Sequence, residues 1–190
     1  SGLPGSGKSW LAVQLAPLLA AIHVRSDLER KRLAGLAPRE HSASEVGGGI
    51  YTDVQTDAVY QRLEHCAAEV LSGRQVIVLD ANFGQRRQRA AIASLCSLLG
   101  VTLVVVHCEA PNSVLRQRIQ ARMNLGSDVS EADLAVLDTQ LTRREAIVAD
   151  EQLNVIAADT TRADVVAHVL GELRHHCAGL NVELRDDAAG

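Results

Sequence analysis

Aromatic side chains are scarce in this chain of 190 residues, which holds one Trp, one Phe and two Tyr. A protein that stacks unpaired bases on ring faces usually carries more. Excess positive charge is missing too. The formal net charge is −4 and the isoelectric point lies near 6.0, so nucleic acid is not the expected partner. No stretch reaches the roughly 18 apolar residues of a membrane-spanning helix, and no secretory leader pattern is present. A cytoplasmic protein without a membrane partner is expected. Cysteines stand at 66, 96, 108 and 177, with no C-x-x-C pair. That excludes a zinc ribbon or a dithiol redox motif and suits buried free thiols. His175-His176-Cys177 lacks a second ligand cluster and reads as a solvated helix end.

What is present is aliphatic. Apolar residues make up 47% of the chain, enough for a core of Leu, Val, Ile and Ala. Helical and strand patterns alternate along it. Residues 8–20 form an apolar helix that Pro17 should kink or shorten. Residues 21–25 read as a short strand, 27–34 as a helix, and 37–50, with Pro38 and Gly47-Gly48-Gly49, as a loop. A long helix fits 53–72, with Gly73 placed to end it. Buried strands fit 75–80 and 101–108, with a helix at 85–99 between them. A helix at 111–123 follows, then a second from the capping-box pattern Ser130-Glu131-Ala132-Asp133 to about 149. A strand at 153–158 and a helix at 161–175 complete one domain over 1–175, and 176–190 is a tail. Continuous apolar strands alternating with helices predict a three-layer α/β/α fold around a parallel sheet. Ligands in such a sheet bind beyond the carboxyl ends of the strands.

Residues 2–9 read G-L-P-G-S-G-K-S, the full pattern of a phosphate-binding loop. Gly2, Gly5 and Gly7 let the backbone curl until several amides face one phosphate, with Ser6 inside the same curl. The following helix adds its positive N-terminus. Lys8 reaches the β and γ phosphates of ATP and the Ser9 hydroxyl ligates Mg²⁺. Such a loop joins a strand to a helix, so the first strand of the sheet is expected upstream of residue 1. Asp80 ends an apolar strand, where a carboxylate commonly holds magnesium. Ala81 follows it where ATP-driven motors place a water-activating Glu, which argues against a hydrolytic engine.

Two further signals flank this set. Asp27 and Arg30 share a helical face just past the second predicted strand. A carboxylate there can take the proton of an attacking hydroxyl, and the Arg can clamp an anionic group. Arg116, Arg118 and Arg122 lead into a polar segment, so 116–131 reads as a lid whose arginines stabilise a transferring phosphoryl group. The run R-R-Q-R at 86–89 is a basic helix start, set against the helix dipole, that suits either acceptor binding or solubility. Leu71-Ser72-Gly73-Arg74-Gln75 mimics a transporter-ATPase signature, but Gly73 stands where a helix ends. No N-K-x-D pattern supports guanine specificity.

Together G-L-P-G-S-G-K-S, V-R-S-D-L-E-R, Y-T-D-V…V-Y and G-R-Q-V-I-V-L-D-A-N-F resemble the P-loop kinases of the AAA_33 and zeta-toxin-like group, over about residues 1–170. Some members of that group are fused to an aminoglycoside-phosphotransferase-like domain, which makes such a domain a candidate partner. The group is similar to polynucleotide 5′-kinases. The resemblance implies Lys8 and Ser9 on the nucleotide, Asp27 as general base, Arg30 toward the acceptor, and Arg118 or Arg122 as the lid cation. The group often shows D-A-T-F where this chain has Asp80-Ala81-Asn82-Phe83. The leading expectation is an ATP-dependent kinase for a hydroxyl of a small molecule. The alternatives are a slowly hydrolysing or non-catalytic ATP-binding regulatory module and a polynucleotide 5′-kinase.

Overall fold

The computed structural model describes residues 1–38, 40, 52–125 and 133–177. The Gly47-Gly48-Gly49 run, the lid segment 126–131, the capping residues Ser130 to Ala132 and the tail from 178 lie outside them. Helix α1 (Lys8–Leu18) starts on Gly7, whose left-handed backbone ends the phosphate loop. Pro17 occupies its last turn and the helix stops one residue later, where Ala20 turns left-handed and the Ala21 amide closes on the Ala16 carbonyl at 2.8 Å. Strand β1 (Ile22–Arg25) and helix α2 (Ser26–Leu33) follow.

Helix α3 (Asp53–Ser72) has the bounds the sequence predicts. Thr52 caps it by accepting the Gln55 amide at 3.3 Å, and Val59, Leu63 and Ala67 bury one stripe at four-residue spacing. Gly73 stands at its C-cap, but Arg74 takes the left-handed backbone with φ 56°. Strand β2 (Ile77–Asp80) and helix α4 (Arg86–Leu99), ended by Gly100, come next. Strand β3 (Val104–Glu109) leads to helix α5 (Asn112–Leu125).

Helix α6 spans Leu134–Arg143, shorter than the predicted element. Its cap is Asp133, which accepts the Val136 amide at 2.8 Å. The helix fails to reach 149 because other parts of the fold take its backbone. Gly84 accepts the Glu145 amide at 2.8 Å, and the Arg89 guanidinium bonds the carbonyls of Glu145 and Ala146. One 3₁₀ turn at Ala149–Glu151 precedes strand β4 (Asn154–Asp159). Helix α7 (Val165–His176) begins later than predicted, because Asp159 binds the Thr161 amide and hydroxyl and holds the chain in a turn.

All pairing among the described strands is parallel. β1 pairs with β2 from Ile22 opposite Ile77 to Arg25 opposite Asp80. β3 pairs with β4 from Val104 opposite Asn154 to Glu109 opposite Asp159. The described strands thus form two separate two-stranded sheets. Between them runs an apolar slot of about 840 Å³, lined by β2, β3 and α1. Ser1 enters it: its main-chain nitrogen donates to Val106 O at 2.6 Å and its carbonyl accepts Cys108 N at 2.9 Å. Gly2 N reaches across to Asn82 O at 3.2 Å.

Helices α1 and α7 pack with β3 and β4 around Leu11, Leu15, Ile156, Ala158 and Val169. On the β1–β2 sheet, Val59 and Leu63 of α3 meet Val24, Leu79 and Ala81. A third cluster joins Leu3 to Leu115 and Ile119 of α5 and Leu137 of α6. These clusters suspend the phosphate loop between the two sheets.

Candidate functional site

The phosphate loop has glycine where no other residue fits. Gly5 has φ 77° and an added Cβ would lie 2.6 Å from the Leu115 carbonyl oxygen. Gly7 has φ 80°, and its Cβ would press on Thr160 at 3.1 Å. No side chain caps α1, so its first amides are left for a ligand at the positive end of the helix. Ser6 is buried inside the curl, and its hydroxyl lacks a partner in the structure.

Asp80 faces this loop from the end of β2. Burial pushes its carboxyl up, but the His23 ring, Lys8, the Ser9 hydroxyl and Arg25 outweigh it and hold the group below the ordinary carboxylate value. His23 Nε2 stands 3.6 Å and Arg25 Nε 3.5 Å from Asp80 Oδ2. Asp80 Oδ1 is buried without a hydrogen-bond partner. A hard oxygen pair, Asp80 and Ser9, with one orphaned carboxylate oxygen, fits a magnesium ion. His23 and Arg25 were missed by the sequence reading. Their signal was polarity at alternate positions of a strand, which puts both on one face, beside the register partner Asp80.

Asp27 and Arg30 lie one turn apart at the start of α2, just beyond β1. The N-cap of this helix is Arg25, whose side chain makes no capping bond. Arg30 donates to the Thr56 hydroxyl of α3 at 3.3 Å. The charges of Arg30, Asp27 and Arg87 all act on the Tyr60 hydroxyl of α3. The start of α2, the first half of α3 and the residues after β2 therefore surround one region beside the phosphate loop.

The arginines of α5 are placed differently from one another. Arg118 donates to the Gly5 carbonyl at 3.3 Å, to Thr160 Oγ1 at 2.8 Å and to Thr160 O at 2.9 Å. It braces the loop from behind. Arg116 pairs with Asp138 of α6, and Arg122 lies one turn beyond Arg118. The 86–89 run also divides. Arg86 pairs with Asp150 at 3.0 Å and Arg87 with Asp57 at 2.5 Å, both at the surface. Arg89 is instead buried on Glu151, with two contacts of 2.7 Å. Arg89 is thus neither an acceptor ligand nor a solubilising charge, as the basic run had suggested. It is the tie that ends α6.

The AAA_33 family, described as an AAA domain, matches residues 1–147. A protein of Mycobacterium tuberculosis (strain ATCC 25618 / H37Rv), named only as uncharacterized, is 30% identical over 136 residues, 72% of this chain and 27% of its own length. The chain therefore spans about a quarter of the curated relatives it matches. Among solved structures, Chaetomium thermophilum Kti12 in complex with ADP-AlF3 matches with a TM-score of 0.70 and 18% identity, over 94% of this chain and 97% of that one. A gluconokinase from Sinorhizobium meliloti 1021 matches with a TM-score of 0.63 and 20% identity, over 92% of this chain and 89% of that one. The fold is that of the P-loop kinase-like proteins. Among the described residues, no helix is long and apolar enough to cross a membrane.

Proposed function

The chain belongs to the AAA_33 family of AAA domains, and from that premise we propose that it binds ATP with magnesium and transfers the γ-phosphoryl group to a hydroxyl of a small acceptor. The observation that carries this reading is the uncapped, glycine-built loop at the start of α1 with the Asp80 carboxylate turned toward it. One similar solved structure is a gluconokinase, which agrees with it. Asp27, at the start of α2 just beyond β1, is the general base.

The loop amides and Lys8 hold the β and γ phosphates and neutralise charge that builds on the transferring group. Ser9 and Asp80 would hold magnesium, which would supply further neutralisation of the phosphate charge. Asp27 accepts the acceptor's hydroxyl proton as the new O–P bond forms and the bridging β–γ bond breaks, leaving ADP. Arg30 orients the acceptor. Arg122 supplies a further cation to the transferring group, while Arg118 keeps the loop in shape. Ala81 is fully buried, so no side chain there activates water, which favours transfer over hydrolysis. Because the curated relatives are longer, a fused or partner phosphotransferase-like domain, and a cytoplasmic setting, belong to the proposal as well.

Asp27→Asn should keep calorimetric affinity for Mg-ATP and lower transfer by about 10²–10⁴-fold once an acceptor is found in a panel of hydroxylated metabolites. Transfer near the wild-type rate removes Asp27 from the mechanism. Absence of any heat with Mg-ATP removes the whole reading.

A further inference from the structure

Three consecutive residues after β2 each hand main-chain groups to different elements. The Asn82 carbonyl accepts from Gly2 of the phosphate loop at 3.2 Å. The Phe83 amide donates to Tyr60 Oη of α3 at 3.0 Å. The Phe83 carbonyl accepts from Arg89 of α4 at 3.0 Å, and the Gly84 carbonyl from Glu145 at 2.8 Å. The Asn82 side chain also donates to Gln140 of α6 at 2.9 Å. Phe83 takes a left-handed backbone, φ 50°, which a bulky residue adopts only under constraint.

Tyr60 supplies that constraint twice. Its hydroxyl captures the Phe83 amide, and its ring meets the Phe83 ring edge to face, centroids 5.3 Å apart at 71°. Burial pushes the Tyr60 phenol up to about 12, so it stays neutral and keeps its bond at physiological pH. Its other neighbours are the charges of the acceptor side, Arg30, Asp27 and Arg87.

We propose that Tyr60 is a positioning residue of the nucleotide site: by holding Phe83 in its left-handed turn it keeps Asn82 on Gly2 and Asp80 opposite Ser9, and so joins α3 to the phosphate loop. The assignment rests on the nucleotide-binding part of the function proposed above. A turn released at Phe83 lets Asp80 drift from the loop, so the loss falls on the metal-dependent share of nucleotide affinity.

The test uses the full-length protein and the non-hydrolysable analogue AMPPNP, titrated with Mg²⁺ and with EDTA. Tyr60→Phe deletes one hydroxyl and keeps the ring. The gain in affinity that Mg²⁺ brings is expected to shrink about fivefold. Adding Phe83→Gly to that variant restores most of the gain, because glycine takes a positive φ unaided. Phe83→Val, with Tyr60 intact, reproduces the loss, because a β-branched residue resists that backbone.

A Tyr60 that serves packing alone lowers both affinities in equal proportion and shows no rescue by Phe83→Gly. That result, or an unchanged Mg²⁺ gain in Tyr60→Phe, overturns the assignment while wild-type binding still supports the function. Should Tyr60→Phe not fold, a full Mg²⁺ gain in Phe83→Val overturns the assignment instead. A wild-type protein that binds no AMPPNP under either condition sinks the nucleotide reading and takes the assignment with it.

Discussion

Gly5 is held by geometry from two directions, its positive φ and the Leu115 carbonyl against its missing side chain. Gly5→Ala meets both, so urea unfolding should show a loss of about 1–3 kcal/mol, and α5 must shift to admit the methyl. An unchanged midpoint would mean that the loop relaxes freely. The glycines, Lys8 and Ser9 were legible in sequence because their spacing is dictated by the shape of a phosphate. Asp80 was legible because a charge at the end of an apolar strand is conspicuous. His23 and Arg25 were not, since their meaning comes from strand register, which pairs Arg25 with Asp80. Arg118 and Arg122 looked equivalent in sequence, four residues apart on one face. Only the position of Thr160 and the Gly5 carbonyl gives Arg118 its bracing bonds.

Among the elements, α3 was legible from end to end, because Thr52 caps it and its buried stripe runs unbroken at helical spacing. Helix α6 was not. Propensity favoured continuing it, but Arg89 offers the carbonyls of Glu145 and Ala146 a charged donor in place of helical amides. Its own charge is balanced by Glu151, and both side chains are nearly solvent-free, at 2% and 5% exposure. Arg89→Leu strands that carboxylate together with three carbonyls, and chemical denaturation should report a loss of about 3–5 kcal/mol. The double variant Arg89→Leu/Glu151→Leu should recover part of it, because the uncompensated charge goes too. Equal losses in both would place the stabilisation in the carbonyl bonds alone.

At the scale of the whole molecule, the first residues and helix α1 bridge the two described sheets, with the slot between them. Acid should reveal how the buried charges hold this arrangement. Asp80 is depressed by His23, Lys8, Ser9 and Arg25 against the opposing push of burial, and Glu151 is lowered chiefly by Arg89. A depressed folded value means stability fully present above the ordinary carboxylate range near 4 and lost as pH falls through the lower folded values. Burial holds the His107 ring below its ordinary value, so it adds a shallow loss that begins as pH falls below about 6.5. Melting temperature should therefore decline gently below about pH 6.5 and steeply below about 4, the steep part being weaker in Glu151→Gln. A curve with no steep part below about pH 4 would remove the carboxylates from the account. By itself the sequence determined the α/β alternation, the parallel strands and the phosphate loop, because each depends on local periodicity or on spacing within a few residues. The tertiary structure alone decided which polar groups meet: Arg25 with Asp80, Arg89 with Glu151, Tyr60 with the Phe83 amide. Those pairings join residues far apart in the chain, and their energy depends on burial and distance, which no local pattern contains.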